Sequence, residues 1–487
     1  MNMMLSSKLR TLVLALVTLC FVSCETSNNH APEPAVMCLE VNGEHYDVPL
    51  PCNGNLNLRT LCSEFAADIK VLNYSDFSSI TIADKSVING AISYTLPTDL
   101  TTAGYIPVDY TTATQHGSFL INAYPEGIPG ITHQGKGQIP GHFYLSFIYQ
   151  PLIMKYDNDG RLLYYRFEPT EANGTFDELG FWDFKKHIFS GKTYYSYHAP
   201  DPKFSDRAFT GYVPGMRILL DDHYNPVDTI HALRSLDGYL PEGSPLDGHD
   251  FYFFSPTHWI ASGSYVEREI DGTTRAVAYL QEVDHGQVVC DWWSTDHDEL
   301  LEWGSPAFDT SFDYVHFNSI DVFPNGNWLV SFRALSSVVC VNPHDGSILW
   351  RINGEALDPS YSFSGQHYVR YHKDKGKESI TLFDNGNAHD PSVTRAIRLD
   401  INNIDDGEIL NGRNRLHVGD YFTQACGAFQ DFGSRGFVMG WGWSTQVGNC
   451  TRLVSEYDAD GNKIFLLNRT DEDPNSVNPS YRCVKYE

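Results

Sequence analysis

Six times along this chain an apolar run breaks at an acidic or asparagine-containing turn, usually with glycine, and resumes as a second apolar run. The copies are LIMKYDNDGRLLYY around Asp157, ILLDDHYNPVDTI around Asp222, LQEVDHGQVVCDW around Asp284, VVCVNPHDGSILW around Asp345, AIRLDINNIDDGEIL around Asp405 and LVSEYDADGNKIFLL around Asp458. Their spacings are 65, 62, 61, 60 and 53 residues. A near-constant period of this length marks repeated supersecondary units. Each period has room for about four short strands, the content of one propeller blade. Single D-x-G turns occur in any β protein, but six in regular sequence exceed coincidence. The spacing predicts an all-β fold, a six-bladed β-propeller over residues 140–487.

Residues 36–125 precede the first repeat and hold short alternating runs (CLEVNGEHYDV, IKVLNYS, SITIA, AISYTL, FLINAY) broken by turn residues. Alternation of period two reads as half-buried strands, and a small β-sandwich-like domain is the simplest assembly. Pro125–Pro140, with four glycines, reads as a linker. Asn173–His187 is the most ambiguous stretch. With 28 Tyr, 28 Phe, 39 Gly and 25 Pro, the composition suits strands and tight turns.

The first 23 residues read as a targeting segment. Lys8 and Arg10 precede an apolar run over Leu12–Val22, and Phe21-Val22-Ser23 ends in a small residue before Cys24. The apolar run is too short for a stable membrane span. This form resembles a bacterial lipoprotein signal, with Cys24 lipidated and residues 24–35 forming a polar tether; ordinary secretory cleavage is the alternative. The expected location is an outer-membrane-anchored lipoprotein, periplasmic or at the cell surface, touching the membrane through its lipid alone.

Removal of residues 1–23 takes away two basic and no acidic residues, so the net charge moves from −27 to −29 (32 minus 61). Such acidity argues against nucleic acid or anionic lipid as partner. It repels an anionic substrate only mildly, because salt screens over about 8 Å and local groups decide. Besides Cys20 and Cys24 there are eight cysteines, with no CxxC pair or cysteine–histidine zinc spacing among them, so no metal is expected. Cys426 with Cys450, and a pair among Cys38, Cys52 and Cys62, are plausible disulfides of an exported protein. Cys290 and Cys340 lie in apolar strand contexts that suit free core thiols.

Chemistry concentrates between Tyr314 and Trp350. Asn325-Gly326 is a strong two-residue turn signal. A hairpin folded about it pairs residues whose numbers sum to 651, setting Asn318 opposite Arg333 and His316 opposite Leu335, with a slip of one residue conceivable. Strand alternation puts His316 and Asn318 on one face and Val315 and Phe317 on the other. The repeat then gives phase to the histidines. His249, His316 and His367 lie 35, 29 and 38 residues before the turn aspartates 284, 345 and 405. Each therefore falls near the start of its unit's innermost strand, and the three imidazoles should converge at one mouth of the channel beside Arg333. A lone histidine is more often a hydrogen-bonded structural residue; three in equivalent positions favour function.

The segments GHDF (248–251), VHFNSI with its returning SFR (315–333), GQH (365–367), and LFDNGN followed by TRAIRLD (382–400) resemble the bacterial arylsulfotransferase family from about residue 140 to the end. The resemblance implies an exported six-bladed propeller with a small N-terminal β domain. It also implies transfer of a sulfuryl group from a phenolic sulfate ester to a phenolic acceptor through a sulfohistidine, with no nucleotide donor or other cofactor, and it leaves room for a homodimer. By motif, the nucleophile falls on His367, the sulfate-binding histidines on His249 and His316, and the arginine on Arg333. The residue types suit the chemistry. Arg333 and donor imidazoles can clamp charged sulfate oxygens as charge passes to the leaving phenolate. Neutral imidazole is a nucleophile near pH 7 and a good leaving group afterwards. His249 or His316 could serve as acid–base, and Asn318 could orient its neighbours at the substrate.

Two features depart from the family pattern. The stretch between Gly354 and GQH is short where many members carry a cysteine-bearing insertion, and Gln424-Ala425-Cys426-Gly427 replaces a Ser/Thr-rich run. Other candidates rank lower. His389, in DNGNAHD, reads as a solvated turn histidine and only secondarily as a rim contact. His258, His285, His297 and His344 belong to turns or outer strands, and Asp296–Glu302 to a solvated face. Trp292, Trp293, Trp441 and Trp443 read mostly as core, although Trp441 and Trp443 could stack on an aryl ring. Two further functions compete: a noncatalytic propeller lipoprotein binding an anionic or aromatic ligand, and hydrolysis with water as sulfuryl acceptor.

Overall fold

The computed structural model of the protein describes residues 36–41, 43–51, 56–58, 66–95, 105–123, 131–167, 179–207, 211–264, 266–416, 422–443, 451–469 and 479–487. Antiparallel strands dominate, and the one α-helix among the described residues is the single turn Glu299–Glu302.

Two sheets form the N-terminal unit. One orders strands Glu44–Pro49, Val36–Val41, Ala66–Val71 and Ala91–Thr95; the other orders Leu56–Leu58, His116–Ala123, Tyr105–Thr111, Ser79–Ile82 and Lys85–Ser86. Val36–Val41 alternates half-buried and buried positions, so Met37, Leu39 and Val41 point inward. They share one apolar cluster with Ile69, Ile80, Ile82, Val108 and Ile121 from both sheets, which is how a sandwich buries its faces.

Downstream, the described strands fall into six four-stranded antiparallel units. The innermost strands of the second to sixth are Trp182–Phe189, Leu246–Ser255, Phe317–Val322, His367–Asp374 and Ala428–Asp431. The first unit is completed by the C-terminal strand Ser480–Tyr486, which pairs with His142–Phe147 and supplies the inner position. These six inner strands neighbour one another in order, and Ser480–Tyr486 lies against both Ala428–Asp431 and Trp182–Phe189, so the succession returns to its start. This is the propeller arrangement that the sequence period predicts. Joining the propeller's first strands to its last within one sheet closes the ring with hydrogen bonds instead of an exposed edge. Ile131–Gly135, inside the stretch read as a linker, pairs with Lys463–Arg469 as a fifth strand on the sixth unit. The ambiguous Asn173–His187 ends in the inner strand Trp182–Phe189.

The repeated acidic turn joins the third and fourth strands of every unit. Its physical basis is a side-chain acceptor that substitutes for backbone partners at the tip. Oδ1 of Asp157 accepts from the amides of Asp159 and Arg161, and Oδ1 of Asp458 from those of Asp460 and Asn462. In the second unit the acceptor is Asp221, not Asp222, and it caps His223 and Asn225.

The hairpin of the fourth unit differs from the predicted register. Ile320 pairs with Val330 and Asp321 with Leu329, a sum of 650. The reason is a three-residue loop: Phe323 and Asn327 close it, and Gly326 takes a φ of +89° after Pro324-Asn325. A bulge between Phe317 and Ser319 then shifts pairing again, so the Arg333 amide donates to the His316 carbonyl at 2.9 Å and Phe317 meets Phe332. Arg333 thus returns beside His316, not opposite Asn318.

Cysteines correct a second expectation. Cys426, expected to pair with Cys450, is a free buried thiol, and Cys38 is also free. Cys24, Cys52, Cys62 and Cys450 lie outside the described residues. Cys290 and Cys340 are free, buried core thiols as expected.

Candidate active site

All three histidines sit where the inner strands begin. His249 lies in Leu246–Ser255, His316 immediately precedes Phe317–Val322, and His367 opens His367–Asp374. Each strand starts with an irregularity. Pairing jumps between Leu246 and Phe251, between Phe317 and Ser319, and between His367 and Arg370. His316 and Tyr368 adopt positive φ (46° and 51°), costly for non-glycine residues and a recurring feature of functional sites. Bulges re-aim side chains. Here they aim imidazoles at one another instead of alternating them across the sheet.

Nε2 of His249 and Nε2 of His316 lie 3.3 Å apart. Each ring is held from behind by a carboxylate. Oδ1 of Asp247 accepts from the His249 amide and from its Nδ1, both at 2.6 Å, and Oδ2 of Asp313 accepts from His316 Nδ1 at 2.5 Å. The Tyr212 hydroxyl donates to the other oxygen of Asp313 at 2.9 Å, and its ring packs on both imidazoles. Trp182 meets His249 edge to face, and stacks on Tyr481, whose hydroxyl donates to the His249 carbonyl. At Gly211, whose φ is +92°, a Cβ would stand 2.9 Å from Cε1 of His316, so only glycine leaves this ring its place.

His367 is 1 % exposed and oriented by three contacts. Asn385 donates through its amide nitrogen to the carbonyls of Thr423 and Cys426, which turns its Oδ1 toward His367. That oxygen lies 2.7 Å from Nδ1, and the Gly365 carbonyl lies 3.1 Å from it. Both partners accept, so Nδ1 carries the hydrogen and Nε2 carries the lone pair. The Cys426 amide donates to that lone pair at 3.1 Å. Burial first, then the positive charge of Arg333, holds the His367 pKa well below the usual imidazole value. Burial likewise lowers that of His316 against the pull of Asp313.

Arg333 stacks its guanidinium 4.4 Å above the Phe308 ring and donates to the Gln424 carbonyl at 3.2 Å. Its charge acts on His316 and His367 alike. Asn318 is fully buried and donates to the Gln366 carbonyl at 2.6 Å, tying the fourth unit to the residue before His367. Behind them, Lys185, Arg217, Arg370 and Arg482 surround Asp183 and Asp250. Arg482 adds to the positive field at His367 although the chain is acidic overall. Buried polar atoms usually have partners. At this site Asp247 Oδ2, Asn318 Oδ1, Arg333 Nε, Gln366 Oε1 and Asn387 Oδ1 have none among the described residues, a concentration suited to polar ligand groups.

The structure thus brings His249, His316, Arg333 and His367 into one electrostatically linked group, with Asn318 beneath it. Asp247, Asp313, Tyr212 and Asn385 are site residues that the sequence did not single out, and the Gln424–Cys426 turn stood out in it only as a departure from the family pattern. The local D-x-H and D-x-x-H spacings were a signal, but too common to single out without the bulges. His389 is half-buried and held by Asp384 and Arg395, so it is structural and not a solvated turn. His258 pairs with Glu282, and His297 stacks on Trp292. Trp441 is core, donating to Ser455, whereas Trp443 is hydrogen-bonded to Ala425 beside the site. Among the described residues, the group with metal-ligand spacing is the exposed turn Asp221, Asp222 and His223.

Residues 271–468 match the model of the arylsulfotransferase (ASST) family. Over that stretch, less than half of its length, the chain is similar to the arylsulfotransferase family. The matched stretch contains His316, Asn318, Arg333 and His367 and begins beyond His249. No curated protein matches the chain. Among solved structures it is similar to a protein of unknown function from Bacteroides caccae, at 13 % identity over 72 % of this chain and 99 % of that one, with a TM-score of 0.42. It is also similar to a GH43 endo-arabinanase from Bacillus licheniformis, at 14 % identity over 60 % and 94 %, with a TM-score of 0.29. At such scores these likenesses carry no argument about this chain.

Proposed function

We propose that the protein transfers a sulfuryl group from a phenolic sulfate ester to a phenolic acceptor, without a nucleotide donor, through a sulfohistidine at His367. The match of residues 271–468 to the arylsulfotransferase model supports arylsulfotransferase-type activity in general. The observation that carries the finer reading is the tautomer of His367: Nδ1–H is committed to Asn385 and Gly365, leaving the Nε2 lone pair beside a buried arginine. Attack by Nε2 on sulfur forms the N–S bond and breaks the bond to the phenolic oxygen. Arg333 stabilises the charge on the sulfuryl oxygens, which is greatest in effect where water is excluded. In the second half the acceptor oxygen attacks sulfur, and the nitrogen leaves with its lone pair restored. Asn318 holds the fourth unit to Gln366 and so fixes where His367 begins. The Lys8–Cys24 segment supports export with a lipid anchor on Cys24, which would place this chemistry outside the cytoplasm.

The test is incubation of the purified protein with 4-nitrophenyl sulfate, with and without added phenol. Phenol-dependent nitrophenolate release is expected. Equal release without phenol points to hydrolysis, and no release from a panel of aryl sulfates leaves the noncatalytic binding reading.

A further inference from the structure

The reaction above needs a proton twice: one must reach the departing phenolate, and one must leave the incoming phenol. We infer that Asp247 and Asp313 are positioning residues that make His249 and His316 hold one transferable proton between their facing Nε2 atoms. This inference rests on the sulfuryl-transfer reading for its role in turnover, but not for its existence.

The hydrogen count follows from the contacts. Each Nδ1 faces a carboxylate oxygen, at 2.6 Å for His249 and 2.5 Å for His316. Ionised carboxylates only accept, so both Nδ1 atoms carry hydrogen. The Asp313 carboxyl is held below its usual pKa: burial opposes ionisation, but the His316 ring beside it, then the Tyr212 hydroxyl, outweigh that. With both Nδ1 atoms protonated, two neutral rings would set lone pair against lone pair across 3.3 Å. One proton between them turns this repulsion into a hydrogen bond. The pair then carries a single positive charge, which together with that of Arg333 balances the two carboxylates.

The surroundings suit a proton that must move. The charged and titratable groups facing the pair are Asp247, Asp313, Tyr212, Arg333, His367 and Tyr481. Arg333 disfavours a second proton. Asp247 and Asp313 disfavour loss of the first. Oδ2 of Asp247 is buried without a partner among the described residues, so His249 supplies the hydrogen bonds to this carboxylate. In the first half-reaction the S–O bond breaks, and the pair gives its proton to the phenolate oxygen. In the second, the acceptor's hydroxyl proton returns to the pair as its oxygen bonds to sulfur and the N–S bond breaks. Protons balance over the cycle with no external acid.

Two measurements test this. In resting protein labelled with ¹⁵N-histidine, a bridging proton should give one Nε2–H signal shared by His249 and His316, and Asp313→Asn or Asp247→Asn should weaken it. Two unprotonated Nε2 shifts throughout pH 5–9 would overturn the inference, whatever the enzyme does. The second uses aryl sulfates graded by leaving-phenol acidity. Both variants should lose at least tenfold more kcat on phenyl sulfate than on 4-nitrophenyl sulfate, because the better leaving group needs the proton less. Equal losses would assign the carboxylates a structural role only. If unaltered protein shows the bridging proton yet transfers no sulfuryl group, the functional reading fails and the proton-holding pair stands.

Discussion

The amide of Cys426 donates to Nε2 of His367 at 3.1 Å, so a backbone hydrogen covers the lone pair assigned to nucleophilic attack. The same turn covers the arginine, since the Gln424 carbonyl accepts from Arg333. Transfer therefore requires this turn to yield Nε2 to sulfur, after which the freed amide can face a sulfuryl oxygen. His367→Ala should abolish label on the protein from a radiolabelled sulfate donor. Label that persists would remove the nucleophile assignment.

The thiol of Cys426 takes no part in that contact. Burial pushes it up to about 12, and those of Cys290 and Cys340 likewise. Since the thiolate is the reactive form, these cysteines should resist a thiol reagent at pH 8 in the folded protein and react after denaturation. Cys426→Ala should keep transfer activity within a few-fold. Loss of activity without loss of folding would show that the side chain acts in the reaction.

Asn385 decides which nitrogen of His367 carries the hydrogen. Asn385→Ala leaves Nδ1–H with the Gly365 carbonyl alone and removes the donor to Thr423 and Cys426. Unpaired buried groups cost about 1–3 kcal/mol each, roughly 5- to 150-fold in rate if expressed in the transition state. Asn385→Asp should act differently, because a carboxylate favours the imidazolium. Its pH–rate profile should move to higher pH, as the nucleophile is freed only above the raised pKa.

Arg333→Lys keeps the charge but loses the planar fork over Phe308. A kcat loss of about 10²- to 10³-fold is expected, the usual range for one donor to a developing charge. Retention of full kcat would move sulfuryl stabilisation elsewhere, with Arg482 the next candidate.

Gly365 has a φ of +62°, and a Cβ there would lie 2.1 Å from Oδ1 of Asn387 and 2.8 Å from the Phe308 ring. Gly365→Ala pays about 1–2 kcal/mol for the left-handed backbone before any clash. Denaturant unfolding should show at least that loss, with transfer activity falling as His367 and Phe308 shift. An unchanged midpoint and rate would refute the packing argument.

Acid should destabilise the fold before its carboxylates protonate. Burial holds His198 neutral, with its pKa down to about 4, and lowers those of His187 and His367. A histidine neutral in the fold binds a proton on unfolding below about pH 6.5, so stability is fully present above that pH and falls beneath it. For His198 the window runs from about 6.5 to about 4, at up to about 1.4 kcal/mol per pH unit. Tm should fall across this range, and His198→Gln should flatten the slope. A Tm independent of pH between 7 and 4.5 would contradict the buried neutral state.

The β architecture, the sixfold period and the placement of His249, His316 and His367 at inner-strand starts were all legible in the chain. Each rests on local chemistry: an Asx acceptor at Asp157 or Asp458 caps its own turn, and strand alternation needs only near neighbours. The hairpin register was legible to within one residue, because Asn325-Gly326 marks a turn but not its loop length. What tertiary structure alone decided is which atoms meet. The positive φ of His316 and the bulge after it bring its Nε2 to His249, and neither follows from local sequence. Asp247 and Asp313 lie two and three residues from the rings they hold, but Asn385 is turned toward His367 by the Thr423 and Cys426 carbonyls of the next unit. Packing between these two units, not propensity within either of them, sets the tautomer of His367.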